Sequence, residues 1–273
     1  MTIAPKKILA PNSTAQYPLK ETIGVIFPEL AGLPTNKAVM DKIMPFSNVL
    51  TERWNDSGQT DFGIYTDPLY LYEAFVSFYQ VSILCAGKLR KWVNMNGVDP
   101  KKYTYFDLYN GIGLGTLHLV QMGFKVTVHN DNPNQIEAMM KLFHHYKLKP
   151  PTIIDESWRQ NKYDFVSAFE VVEHYKEPIQ ITKDLTSCVK KGGFYVESTG
   201  FQVPTYPGHF QTYNVNGEIM DGRAASRHVA RTIREAGFKK IFIGFNKKPR
   251  IWRLIGDDAK LAADTEKNFT VRV

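Results

Sequence analysis

From Tyr103 onward the chain alternates short apolar runs with stretches of helical periodicity, and this alternation limits the fold more than any other feature. Strand candidates are Tyr103–Leu108, Lys125–His129, Thr152–Ile154, Tyr163–Phe169 and Phe194–Ser198. Helical candidates lie between them at Gly115–Met122, Pro133–Tyr146 and Pro178–Val189. Repeated strand–helix–strand units require crossovers, hence parallel strands with helices over both faces. The pattern then breaks: a helix expected over Arg223–Ala236 is followed by Lys239–Phe245, a turn near Asn246–Pro249, and Arg250–Ile255. The last two runs are joined too closely for a crossover and must pair antiparallel. The expected architecture is therefore α/β, a seven-stranded, mostly parallel sheet with helices on both faces and a C-terminal antiparallel hairpin.

The first part of the chain reads differently. Pro5, Pro11, Pro18, Pro28, Pro34 and Pro45 interrupt every candidate element and leave short helical pieces such as Asn36–Ile43. A long helix follows at Asp67–Val93, with Asp67 as N-cap, Pro68 in its first turn, and Leu71, Phe75, Phe78, Val81 and Leu84 at helical spacing. A chain of 273 residues has room for one α/β domain and an appendage. The division expected is a Pro-rich and helical N-terminal arm or cap over residues 1–95, a main domain over 96–257, and a polar tail over 258–273.

Composition narrows the partners and the compartment. Aromatic residues reach 13% and concentrate at Phe62–Tyr79 and Phe194–Tyr213, which fits core packing or a pocket for a flat, apolar substrate. The formal charge is +7, with basic residues at Lys88–Lys91, Lys147–Lys149, Lys190–Lys191, Arg223–Arg234 and Lys247–Arg253. They are dispersed, as solvated helix faces would have them, and they keep a nucleic-acid partner open. Cys85 and Cys188 belong to no C-x-x-C pair, which argues against a zinc ribbon and for a reducing compartment. Met1–Ala10 lacks the apolar stretch of a signal peptide, and no 18-residue apolar run occurs, so a soluble, cytoplasmic chain without a membrane span is expected.

The segment Asp107-Leu108-Tyr109-Asn110-Gly111-Ile112-Gly113-Leu114-Gly115 joins a strand to a helix. Gly111 and Gly113 let the backbone turn sharply and approach a ligand, and the helix beyond points its free N–H groups the same way. The third glycine of the dinucleotide fingerprint would fall at Thr116 and is missing, which disfavours a nicotinamide oxidoreductase. Further on, Phe165–His174 reads F-V-S-A-F-E-V-V-E-H and Val189–Ser198 reads V-K-K-G-G-F-Y-V-E-S.

With these motifs in order, the chain resembles class I, Rossmann-like S-adenosylmethionine-dependent methyltransferases over roughly Tyr103–Ile255. It departs from them in having Tyr109 where a third glycine is common, and Asn130 where an acidic ribose ligand is common, with Asp131 one place on. The resemblance implies S-adenosylmethionine as cofactor. Asp107, Tyr109, Asn110, Gly111 and Gly113 would pack against its methionine and adenosine portions, and Asn130 or Asp131 would bind the ribose. Asp155 and Glu156 would approach the adenine amine, and Phe169 and Glu170 would line the methionine side.

Glu170, Glu173 and His174 follow the fourth strand, and on a helical turn the two carboxylates share a face with the imidazole beside them. Such a group can bind a divalent metal, Mg or Zn, or His174 can act as a base. The E-x-x-E-H string resembles that of ubiquinone-pathway O-methyltransferases and of small-RNA 3′-terminal 2′-O-methyltransferases, where it supports metal-assisted deprotonation. His209, in the loop 199–222, is a candidate fourth member, and Tyr206, Pro207, Phe210 and Tyr213 give that loop the character of a substrate wall. The plain alternative is that Glu173 and His174 cap and solvate a helix start.

Base-methylating signatures are absent: Ala168-Phe169-Glu170-Val171 holds the place of a D/N-P-P-Y/F motif, and neither cysteine follows a proline. The expectation is O- or N-methylation of a small molecule, with catalytic Glu173, His174 and His209. Two alternatives stand beside it: methylation of an RNA or nucleotide 2′-hydroxyl, and a binding subunit that keeps the cofactor fold without transfer.

Overall fold

A strand covered on both faces must carry apolar side chains at successive positions, and β1 (Thr104–Leu108) does so. Tyr105 points to one face, stacked on Phe165 at 5.7 Å and edge-on to Phe124. Phe106 points to the other, stacked on Trp158 and Tyr163 at 5.1 and 5.0 Å. The same alternation recurs along the sheet, and all four of these partners are buried. The computed structural model describes residues 19–33, 36–203, 206–243 and 249–255. Pro5, Pro11, Pro18 and Pro34, the turn at 246–248 and the tail from 258 lie outside them.

The strands after β1 are β2 (Lys125–His129), β3 (Thr152–Ile153), β4 (Tyr163–Phe169), β5 (Val189–Ser198), β6 (Thr212–Val215), β7 (Glu218–Asp221), β8 (Phe238–Ile243) and β9 (Arg250–Leu254). Seven form one sheet in the order β3-β2-β1-β4-β5-β9-β8. The pairs β1–β2, β1–β4, β2–β3 and β4–β5 are parallel, whereas β9 runs antiparallel to both β5 and β8. The expected α/β sheet with its closing hairpin is thus present. Chain order reverses between β1 and β4, the switch point at which open α/β sheets bind ligands.

Helices α1 (Leu19–Ile26), α2 (Asn36–Asp56) and α3 (Tyr70–Met95) precede the sheet, and α4 (Leu114–Met122), α5 (Pro133–His145), α6 (Pro178–Ser187) and α7 (Gly222–Glu235) are wound around it. Trp92 of α3 packs edge-on against Phe194 of β5 at 5.2 Å, which brings the N-terminal segment into the main core. Asp67 starts the turn before α3, accepting the Leu69 N–H through its side chain at 2.9 Å, and the helix proper begins three residues later than expected. Phe75 is buried and Leu84 exposed, so the apolar spacing only partly follows the buried face. Cys85 and Cys188 are buried and not joined in a disulfide. No helix among the described residues is long and apolar enough to cross a membrane.

Three expectations need correction. Asn36–Ile43 is no short piece: α2 continues through Pro45 to Asp56. Val39, Ile43, Leu50 and Trp54 recur on one buried face, and this burial outweighs the backbone bond that Pro45 cannot make. β5 begins at Val189 rather than Phe194, because a register shift opposite Tyr163 and Phe165 lets Gly192 and Gly193 join the strand. The loop 199–222 contains the hairpin β6–β7. Its turn is Asn216-Gly217 with φ of 53° and 91°, the geometry of a two-residue hairpin turn, so an Asn-Gly signal stood in the sequence.

Pro45 is exposed, and its ring does nothing for the core. Replacing it by Ala restores a helical N–H and should raise stability by about 1–3 kcal/mol. Urea denaturation of the Pro45→Ala variant checks this as a higher midpoint at unchanged slope.

Candidate active site

The carboxyl ends of β1, β2 and β4 are joined by a continuous run of hydrogen bonds. Asp107, fully buried at the end of β1, accepts from Ser167 Oγ of β4 at 2.6 Å and from Thr116 Oγ1 of α4 at 2.9 Å. Asn110 donates to Thr116 Oγ1 at 3.0 Å and accepts from Asn130 Nδ2 at 3.3 Å. Asn130 also donates to Gln135 Oε1 at 2.9 Å and to the Gly111 carbonyl at 3.2 Å, while its oxygen takes the Asn132 N–H. The amide orientation follows from partners of opposite kind, a carbonyl and a backbone N–H. Asn132 N-caps α5 through the Asn134 and Gln135 N–H groups and donates to the Tyr65 carbonyl.

The network answers part of the sequence reading. Asp107 and Asn110 are spent on holding the loop and do not line the cleft. Gly111 and Gly113 adopt φ of 53° and 80°, and a side chain at Gly113 would run into Met139. Tyr109 takes φ of 44°, in the left-handed region that favours glycine, and this costs backbone energy of about 1–3 kcal/mol. Its ring enters the cleft, and its hydroxyl donates to Asp131 Oδ2 at 3.2 Å.

The cleft has a volume of about 490 Å³, within the range of small-molecule sites. Tyr109, Asn130, Asp131 and Gln135 form one side, and Glu170, His174 and Tyr175 another. The third wall is Phe62, Tyr65 and Tyr70, from the segment before and at the start of α3. The aromatic cluster at Phe62–Tyr79, which fitted either core packing or a pocket, thus supplies three residues of the cleft wall. Asp155 caps the short turn Glu156–Gln160, and Glu156 pairs with His129 at 3.2 Å and with Arg159; neither lines the cleft. Phe169 is buried at the end of β4.

The E-x-x-E-H string forms a tight 3-10 turn at Val172–His174 after Glu170, which itself adopts φ of 53°. Glu173 is fully buried and accepts the Gly200 N–H. A Cβ at Gly200 would lie 2.8 Å from carboxylate oxygens of both Glu170 and Glu173 and 3.1 Å from His209 Cε1, so these three side chains converge on that glycine. The rings of His174 and His209 meet edge-on at 4.5 Å. Tyr65 donates its hydroxyl proton to the Gly208 carbonyl at 3.1 Å and lies 3.2 Å from His174 Nδ1. When Tyr65 gives its proton to that carbonyl, Nδ1 is the donor of the Tyr65–His174 pair, and in that tautomer Nε2 of His174 is the basic nitrogen. Burial and the neighbouring His209 hold His174 well below the usual imidazole range, so it is neutral near pH 7.

The expected metal set is corrected here. Among the described residues, no three His, Cys, Asp or Glu side chains are placed to hold a metal ion. The reason is local: Glu173 is turned onto the Gly200 backbone and His174 onto Tyr65, so Glu170, Glu173 and His174 present no common ligand face. His209 likewise directs Nδ1 to the Val203 carbonyl at 2.8 Å, and its own carbonyl receives Trp54 Nε1 of α2 at 2.8 Å.

Residues 106–196, a third of the chain, match the profile of a methyltransferase domain. No curated protein matches the chain. An S-adenosylmethionine-dependent methyltransferase from Clostridium acetobutylicum has a similar fold, with a TM-score of 0.50 at 9% identity over 68% of this chain and 97% of that one. Magnesium protoporphyrin IX methyltransferase from Synechocystis, with bound S-adenosylmethionine, aligns with a TM-score of 0.49 at 16% identity over 76% of this chain and 95% of that one. An O-methyltransferase family protein from Burkholderia thailandensis gives 0.46 at 14% identity, covering 79% and 73%. The profile match gives residues 106–196 the sequence pattern of a methyltransferase domain, and the likeness to the Clostridium structure is one of fold.

Desolvation raises the Asp107 carboxyl from 3.8 to about 6 against the two hydroxyl donors. A carboxyl raised on folding takes up a proton as the chain folds, so its contribution falls as pH rises from about 4 to about 6. The loss is at most about 3 kcal/mol. Asp107→Asn keeps an acceptor oxygen and should flatten the stability profile across that window, measured by urea melts at successive pH values.

Proposed function

We propose that this chain transfers a methyl group from S-adenosylmethionine to an oxygen or nitrogen of a small molecule held in the aromatic cleft, with His174 accepting the proton. The observation that carries the reading is the place of His174 in the cleft wall, with Nδ1 3.2 Å from the Tyr65 hydroxyl and burial and His209 holding the ring below the usual imidazole range. The residues present fit the cofactor: the left-handed Gly111 and Gly113 let the loop turn back sharply after β1, so that Tyr109 faces the cleft, and Asp131 offers an exposed carboxylate there. Asp131 would take the ribose hydroxyls, because the Asn130 amide is already consumed by the loop. Tyr109 and Glu170 would face the bound molecule, and Asp107, Asn110, Gly111 and Gly113 would shape the loop under it. When bound, S-adenosylmethionine supplies an electrophilic methyl on sulfonium sulfur.

The chain's own part is to align the acceptor and remove its proton. Phe62, Tyr65, Tyr70 and Tyr175 give the acceptor flat apolar walls that exclude water. Tyr65 holds the tautomer of His174. Glu173 acts through the backbone of Gly200, on which His209 also rests, and so positions rather than reacts. Methylation of an RNA or nucleotide hydroxyl is a second reading, favoured by the arginine face of α7 described below.

Isothermal calorimetry with S-adenosylhomocysteine tests the cofactor. Binding is expected, and Asp131→Ala should weaken it about tenfold, a loss of about 1.4 kcal/mol. Absence of binding by the wild-type chain overturns the reading, and binding without transfer to any acceptor pool supports a non-catalytic subunit instead. His174→Gln should lower turnover by about 10²–10⁴ while leaving S-adenosylhomocysteine binding within about threefold. Because burial and His209 hold His174 low, the acidic limb of the pH–rate profile should lie below the ordinary histidine range near 6.5. Tyr65→Phe should lower turnover more than it raises KM and displace that limb.

A further inference from the structure

Helix α7 is amphipathic in an uncommon way. Its inner side is small and apolar, with Ala225, Val229 and Ile233 buried, and its outer side carries exposed arginine at 223, 227, 231 and 234. At 3.6 residues per turn these four positions fall within a sector of roughly 80°, spread along about 16 Å of helix. Among the described residues, none of the four guanidinium groups is held in an ion pair. Glu235, exposed at the end of the helix, is the one acidic residue within α7. The N-terminus of α7 is pinned beside the active site, since Gly222 abuts the Phe201 carbonyl and leaves no room for a Cβ. The row therefore starts at the loop that carries His209.

We infer that this face of α7 binds the phosphate backbone of a nucleic-acid strand. Successive arginines four residues apart advance by about 6 Å along the helix. That step is close to every second phosphate of a strand, at about 3.4 Å per phosphate along the axis. Guanidinium groups bind phosphate bidentately and are weakly hydrated, so a row of arginine suits evenly spaced phosphates better than it suits scattered carboxylates. A membrane surface fits poorly, because such a helix needs large apolar side chains at its water-facing margin and none of the exposed ones lies on α7. An acidic protein fits poorly for the same reason, since a protein interface is built around a buried apolar centre.

The test is fluorescence anisotropy of the full chain with a labelled single-stranded RNA across a salt series. Binding is expected to weaken as salt rises. Replacing Arg223, Arg227, Arg231 and Arg234 together by Ala should weaken it at least about thirtyfold and reduce the slope of log K against log salt by about 3. A charge-matched control, with Ala at the exposed Lys91, Lys102, Lys147 and Lys149, should stay within about threefold of wild type. Circular dichroism checks that both variants keep the fold. Equal binding by the arginine variant and wild type overturns the proposal. So does competition by polyglutamate or anionic vesicles as strong as that by unlabelled RNA. S-adenosylhomocysteine binding should be the same in the arginine variant, so loss of the methyltransferase reading and loss of this one register in different assays.

Discussion

The buried carboxylate of Asp107 is the constraint from which the active site is built. It sits where β1 ends, and it ties β4 through Ser167 and the first turn of α4 through Thr116. From Thr116 the bonding passes to Asn110, Asn130 and Asn132, and reaches the backbone of Tyr65 outside the sheet. Each member is buried and partnered, and this makes a polar network a rigid frame rather than a liability. The glycine loop is held in place because the side chains around it are engaged with one another and it packs on Met139. Tyr109 is the exception, turned outward on a left-handed backbone onto Asp131.

A second frame closes the other side. Trp54 is fully buried, edge-on to Phe210 at 5.3 Å, and donates to the carbonyl of His209. Gln59 donates to the same carbonyl at 3.3 Å and accepts the Gln211 N–H at 3.0 Å. The loop after β5 is held by the end of α2, and Tyr65 is held between that loop and the end of β2. The cleft thus has a wall supplied by residues that precede the sheet in the chain.

How much of this was legible follows from the range of the forces involved. The strands β1, β2 and β4 and helices α4 to α7 were readable because two-sided burial writes apolar runs and helical periods into local sequence. The antiparallel closing pair was readable because a short connection forbids a crossover. Pro45 misled, since a local rule about proline yielded to burial of Val39, Ile43, Leu50 and Trp54 on one helix face. The hairpin β6–β7 was overlooked although Asn216-Gly217 marked it. At the site, E-x-x-E-H was correctly placed past β4, but its spacing could not show that Glu173 turns to a backbone N–H and His174 to a tyrosine more than a hundred residues earlier. That Asn130 is used up by its neighbours is likewise a property of two separate segments meeting, which a single string of residues does not record.

The bond from Trp54 to the carbonyl of His209 spans 155 positions of sequence. Contacts of such separation form only after the entropy of closing a very long loop has been met. During synthesis α2 emerges well before the loop that seats it, so the Trp54 indole N–H has no His209 carbonyl to meet until the chain has passed β5. Until then its partners are the nearby rings of Phe62 and Tyr65, and the wall of the cleft can be completed only from far along the chain.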